Sequence, residues 1–399
     1  MNMKQGSHLF EAGWRAFFWA AGIWAVLSML IWVIWFASSQ FSQPGLPGPG
    51  MPPQLWHAHE MVFGYATAAL GGFFLTAVPN WTGAKAAPRR FVAMVFGLWL
   101  AGRAAVYLSG ILPPVLVAVV DLAFLPVLAA KILTQLMARP KPQNMMFLLL
   151  LSMVWLSNLM VHLQWIGLTG TEYQGLRGGL LTICAMIAAL GGRIIPAFTR
   201  NALIREGREE IQPVSHKPLD LAGTALPILT AFSVIIGMPD MLSAVLAIVA
   251  GLAAAARLGL WRGWSMRHQP IVWALHLAYA MLSLGLFCWG LALLGIGSEI
   301  GALHILGIGA IGGMTLAVMS RASLGHSGRP LHAPAMVAVA YGLLPVSVLL
   351  RWMASEFSAL YAVGVIASGL IWIVVFIMYL FALWTIFFGP RAEGQQVPP

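Results

Sequence analysis

The sequence predicts an all-α polytopic membrane protein, and three observations carry that prediction. Of its residues 60% are hydrophobic and only 9% are charged, with a mean hydropathy of +0.85. A soluble protein is about a quarter charged, so a water-soluble globular domain is excluded. Disorder, which requires low hydrophobicity, is excluded with it. The apolar runs exceed the roughly 10 residues of a barrel strand, and 399 residues leave room for about a dozen spanning helices of roughly 20 residues each. The prediction is a single integral membrane domain over 1–399 without a sizeable soluble part.

The runs can be taken in order, each bounded by proline, glycine or charge. Span 1, about 14–36, follows a short segment carrying Lys4, His8 and Glu11 with no small-residue cleavage site, and reads as a retained helix. Span 2, 57–79, follows the proline-rich stretch Gln43 to Pro53 and ends at Pro79. Spans 3 and 4, 91–110 and 114–137, are separated by Pro113 and Pro114. Spans 5 and 6, 143–166 and 176–197, begin after Pro142 and Gly175. Spans 7 and 8, 218–237 and 241–260, meet at Gly237 and Pro239. Spans 9 and 10, 270–294 and 300–320, meet at Gly295, and spans 11 and 12 cover 334–353 and 360–388.

The net charge of +10 would suggest a nucleic-acid partner in a soluble chain; its placement excludes that. Sixteen lysines and arginines fall at the ends and loops on the side of the N-terminus, Lys4, Arg15 and Arg391 among them, against Arg177 and Arg351 opposite. That asymmetry predicts cytoplasmic termini. The bilayer is the partner, and the Asn80-Trp81-Thr82 sequon, on the cytoplasmic side, carries no glycan meaning. Cys184 and Cys288 both lie in apolar runs, which argues against a disulfide framework or thiolate zinc site.

Glycine pairs recur at Gly71-Gly72, Gly191-Gly192 and Gly312-Gly313, 120 and 121 residues apart, in spans 2, 6 and 10. Small residues pack membrane helices everywhere. Equal spacing nevertheless favours three four-helix repeats, 1–137, 138–260 and 261–390, over two six-helix halves. Three such units around a pseudo-threefold axis is also the plan of the haem-copper oxidase catalytic subunit, an analogy of architecture alone.

Ionisable groups at membrane depth are expensive and usually functional. The sharpest cluster is Trp56-His57-Ala58-His59-Glu60, at the outer mouth of span 2. Residues two apart on a helix point about 200° apart, so His57 and His59 share a metal only if the segment is extended, or else serve two different ions. Glu60, three residues after His57, lies on its face and is expected to orient it. His162 and His304 lie at the same outer depth, and His57, His59 and His304 are the leading ligands, with His162 next. His276 shares a helix face with Trp273 and Tyr279, nearer the cytoplasm; with His326 it makes a candidate second site. Imidazole suits copper and iron alike. His8, His216, His268 and His332 fall in loops. Arg103 and Asp121 sit on adjacent spans but by depth need not meet, and Arg193 either binds a haem propionate or snorkels. No phosphate-binding loop, zinc-protease helix or dinucleotide fingerprint is present. No span carries a relay of carboxylates, which argues against a proton-pumping oxidase.

These residues carry a family resemblance. Trp56-His57-Ala58-His59-Glu60-Met61 with Leu75-Thr76-Ala77-Val78-Pro79-Asn80-Trp81-Thr82-Gly83 resembles the signature of the NnrS family. So do Gly191-Gly192-Arg193-Ile194-Ile195-Pro196 through Asn201, Leu275-His276 with Tyr279, and Ile311-Gly312-Gly313 through Arg321 to Gly325-His326. The family usually shows a proline where Trp14-Arg15-Ala16-Phe17-Phe18 has alanine, a departure at a helix start and not at the histidines. The resemblance implies a bacterial inner-membrane protein with twelve spans, bound haem b and copper, and a role in the response to nitric oxide and nitrosative stress. Nitric oxide reaches such a site through the lipid, and the electron donor is unnamed. The competing readings are a secondary transporter of haem, copper or a small anion, and a sensor without turnover.

Overall fold

The computed structural model describes residues 8–40 and 48–392; Lys4 and residues 43–47 of the proline-rich stretch before span 2 lie outside the described residues. Among the described residues there is no strand, and twelve helices are long and apolar enough to cross a membrane. They are α1 (Gly13–Gln40), α2 (Pro53–Thr82), α3 (Arg89–Tyr107), α4 (Pro114–Leu136), α5 (Pro142–Trp165) and α6 (Glu172–Arg205). Then follow α7 (Lys217–Ile235), α8 (Asp240–Leu260), α9 (Pro270–Leu293), α10 (Glu299–His326), α11 (Ala335–Glu356) and α12 (Ser358–Phe388). The expected all-helical membrane fold with twelve spans is what the chain adopts.

Local chemistry sets the boundaries. Prolines open α2, α4, α5 and α9 in the first turn, where their missing N–H costs no hydrogen bond. α2 stops at Gly83, whose φ of 72° lets its N–H reach the Pro79 carbonyl at 2.8 Å. Two helices outrun their apolar stretches. α6 continues past Pro196 to Arg205 and α10 past Arg321 to His326, because hydropathy marks what lies in lipid, while backbone hydrogen bonding carries the helix into the polar flank. Neither α2 nor α10 is uniform: Glu60–Ala66 and Ile305–Gly312 are π-helical. Trp99 of α3 donates to the Gly64 carbonyl inside the first of these turns, at 2.9 Å.

The chain divides into two compact units. The first comprises Met1–Gly179, Met319–Leu331 and Phe376–Pro399. In it α1 packs on α2 through Phe17 and Phe18, which lie over Gly71 and Gly72; a Cβ on Gly72 would come within 2.6 Å of the Phe18 ring. Phe124 of α4 also lies against Gly71. Arg15, buried in the first turn of α1, donates to the carbonyls of Ile386 (2.8 Å), Phe387 (3.1 Å) and Gly389 (2.6 Å), closing the C-terminal end of α12. Carbonyls left over at a helix end carry partial negative charge, so a guanidinium suits them.

The second unit comprises Leu180–Val318 and His332–Val375. Arg257 of α8 fills the space that Gly192 and Gly223 leave open, and Tyr279 of α9 lies on Gly191. Trp372 of α12 lies on Gly312, where a Cβ would meet the indole at 2.5 Å. Each glycine pair therefore receives a bulky side chain from the last helix of its own sequence quartet: Phe124, Arg257 and Trp372.

Candidate metal centre

The first unit gathers a polar cluster from α1 to α5. After Pro53, α2 runs helically through His59 and turns π-helical at Glu60. His57 and His59 point apart, as their spacing requires: the His57 ring stacks on Trp32 of α1 at 4.9 Å, whereas His59 is fully buried. His59 Nδ1 faces Glu60 Oε1 at 3.0 Å, and its Nε2 faces Asn158 Oδ1 at 2.9 Å and Asp121 Oδ2 at 3.3 Å. His162 Nε2 donates to Asp121 Oδ2 at 2.8 Å, and Asn158 Nδ2 donates to the same oxygen at 2.8 Å. Asn158 and His162 are four residues apart on α5 and so share a face.

Arg103 of α3 ties the two carboxylates together. Its Nη1 lies 2.8 Å from both oxygens of Glu60, and its Nη2 donates to Asp121 Oδ1. Trp24 of α1 donates to Glu60 Oε2 at 2.8 Å. Gly64 and Gly102 make this closeness achievable. A Cβ on Gly64 would lie 2.7 Å from Glu60 Oε2 and 2.9 Å from Arg103 Nη1, and one on Gly102 would lie 2.8 Å from Asp121 Oδ1.

The charges do not balance within the cluster when the imidazoles are neutral. Two buried carboxylates face one guanidinium, and one negative charge is left over in a low-dielectric setting. One added positive charge, a proton on an imidazole or a metal ion in its place, offsets this, and the donor set suits a metal ion. His59, Asp121 and His162 each offer a ligand atom, all within 4.8 Å of one another. Two imidazole nitrogens and a carboxylate oxygen are borderline ligands of the kind that hold copper, zinc or iron. Glu60 at Nδ1 is then the carboxylate that fixes the His59 ring. The residues fit a small metal ion. They do not fit a haem: the polar side chains meet at hydrogen-bond distance, and Phe63 and Trp165 lie 5.2 and 5.0 Å from the His59 ring, leaving no flat slot for a macrocycle.

Of the sequence candidates, the structure brings His59 and His162 together and leaves His57 on Trp32. Glu60 serves His59 instead of His57. His326, also in the first unit, stacks on Trp14 at 6.4 Å. The second unit holds the others. His304 opens the π-helical stretch of α10, and its Nδ1 donates to the Ile300 carbonyl at 2.7 Å. Arg193 is half-buried on α6. His276 Nε2 lies 2.8 Å from Thr199 Oγ1, and the hydroxyl donates to Ile195 O at 2.9 Å. The threonine has one proton and has spent it, so His276 donates through Nε2 and keeps a lone pair on Nδ1. That nitrogen is buried without a hydrogen-bond partner among the described residues. A Cβ on Gly263 would lie 2.5 Å from it, so the turn after α8 covers it and no haem fits there as placed. Tyr279 accepts from Arg257 Nη1 at 2.9 Å instead of supporting His276.

Arg103 and Asp121, which by depth need not meet, are joined. The signal lay in the short link between α3 and α4: Arg103 is four residues from the end of α3 and Asp121 seven from the start of α4, a difference of about 4.5 Å at 1.5 Å per residue. A guanidinium spans that. Asn158, one turn before His162, was the other readable sign.

No curated protein matches the chain. The family described as NnrS protein matches residues 8–391, nearly its whole length. With twelve spans and a buried histidine–aspartate cluster behind the His57-Ala58-His59-Glu60 segment, the chain belongs to the NnrS family.

Proposed function

We propose that this is a bacterial inner-membrane protein with cytoplasmic termini that binds copper at His59, His162 and Asp121 and uses it to bind or turn over nitric oxide. The observation that carries the reading is the closed triangle of those three donors, all of them buried. Family membership supports the link to the nitric oxide response. Copper held by these imidazoles and the carboxylate would supply redox chemistry for a diatomic ligand. The chain's own residues set its conditions. Glu60 holds the His59 ring, Arg103 locks both carboxylates, and Phe63 and Trp165 keep water off the imidazoles.

Haem b belongs to the proposal as a second group. Family membership supports it, and no residue is assigned to it: the lone pair on His276 Nδ1 is covered by the turn after α8, and His57, His304, His326 and Arg193 stay candidates from the sequence alone. Metal analysis and absorbance of the purified protein test both parts. Copper near one equivalent that falls in His59→Ala and His162→Ala supports the copper site, and a Soret band that survives washing supports haem. Copper and haem both lost on washing would favour transient cargo, the transporter reading. A protein without either, correctly inserted, would refute both.

A further inference from the structure

The cluster is sealed on almost every side. His59, Glu60, Asp121, His162, Asn158 and Arg103 are each at most 4% exposed. Two partly exposed indoles touch it. Trp24 lies mid-way along α1, where the outside is hydrocarbon, and a metal cation does not cross hydrocarbon. Trp165 is the last residue of α5, and residues 167–170 just beyond it are exposed.

Trp165 covers both imidazoles. Its ring lies 5.0 Å from His59 and 5.1 Å from His162. On the other side its Nε1 donates to Glu172 Oε1 at 2.5 Å. Glu172 is the first residue of α6 and is buried, and its backbone N–H donates to Gln164 Oε1 at 2.7 Å. The six residues between the helices are held over the same spot. Ile166 N donates to the His162 carbonyl at 2.9 Å, Gly167 turns with φ 86°, and Thr171 Oγ1 donates to Met160 O at 2.9 Å. A carboxylate thus stands outside the metal donors, with one indole between.

We infer that the connection between α5 and α6 is the port of the metal centre, with the Glu172 carboxylate as the group that first takes the cation and Trp165 as the gate it must pass. The inference rests on the copper reading above and adds the route and its residues. The Trp165–Glu172 hydrogen bond breaks as the buried carboxylate turns outward, the ion leaves water for it, and the indole swings aside to admit the ion to His59 and His162. The same bond then closes behind it. Because the latch is shut in both the empty and the loaded protein, it governs rates and leaves affinity alone.

The test is stopped-flow copper exchange on the full-length protein in detergent, loading with cupric ion and unloading to a chromophoric chelator. Trp165→Phe keeps an aromatic cover but removes the N–H. Loading and unloading should both accelerate by about tenfold, the scale of one hydrogen bond to a charged group, with an unchanged dissociation constant. Glu172→Gln should slow loading and unloading by the same factor at low ionic strength, again with an unchanged dissociation constant. Unchanged rates in both variants, or a changed affinity with unchanged loading, would overturn the port. If the wild type takes up no copper, the metal reading itself fails. Hydrogen exchange of residues 166–171 then judges the latch alone: faster exchange in Trp165→Phe supports it and unchanged exchange refutes it.

Discussion

Asp121 divides its two oxygens between opposite partners: Oδ1 takes the Arg103 guanidinium and Oδ2 takes the His162 imidazole at 2.8 Å. The aspartate is thus both half of an ion pair and a member of the donor triangle.

Breaking that arrangement is expected to be costly. Arg103→Met leaves Glu60 and Asp121 as two buried carboxylates without their cation. Removing one partner of a buried pair costs about 3–5 kcal/mol. Thermal unfolding in detergent should show it, and the triple change Arg103→Met, Glu60→Gln, Asp121→Asn should recover part of the loss. Equal melting of Arg103→Met and wild type would mean the pairing is absent in solution.

Among the histidines the geometry predicts a split. His59→Ala and His162→Ala should lose the copper bound at the triangle, while His57→Ala, whose ring rests on Trp32, should keep it. Copper content with a copper spin-resonance spectrum separates the three variants. Loss of that signal in His57→Ala alone would place the ion elsewhere.

The charge asymmetry of the loops predicts topology. A reporter active only in the cytoplasm should work when fused after Pro399, and one active only in the periplasm should stay silent. The reverse pattern would sink the assignment.

One contact outside the spans is pH-dependent. Glu206, just after α6, accepts from His268 at 2.7 Å, and also from Gln269 and Arg208. Hydrogen bonding from His268, the largest influence, holds its carboxyl below the ordinary 4.5. A depressed carboxyl contributes stability above its unfolded value, and that stability is lost as pH falls through the lower folded value. The tie between residues 206–216 and 261–269 should therefore loosen only below about pH 4.5, read as faster hydrogen exchange in 206–216. Glu206→Gln should abolish the pH step.

The glycine pairs predict internal repetition. Helices 1–4, 5–8 and 9–12 should superpose quartet on quartet in an experimental structure, with Gly71-Gly72, Gly191-Gly192 and Gly312-Gly313 at equivalent positions. Superposition of 1–6 on 7–12 instead would make the spacing coincidence.

Most of the span pattern was legible because a membrane leaves little choice: lipid demands apolar runs, and backbone groups demand helices. Ends were less legible, since Pro196 does not stop α6 as an apolar-run criterion expects. The π-helical turns were not legible at all. They bear directly on the site, because in a π-helical turn each residue rotates less than in an α-helix. Glu60, expected to orient His57, faces His59 Nδ1 at 3.0 Å instead, where the π-helical turn starts. Depth alone grouped His59 with His162. It could not find Asp121 and Arg103, since their meeting depends on side-chain reach across a hairpin.

Arg15 also sets an order of events. Its partners, the carbonyls of Ile386, Phe387 and Gly389, are made more than 370 residues after it. The first unit, which joins segments made before and after the second, stays unfinished until α12 is made. Until α12 is inserted, a guanidinium waits at the base of α1 for acceptors that do not yet exist, so a chain cut short before them would be a target for membrane quality control even with eleven helices in place.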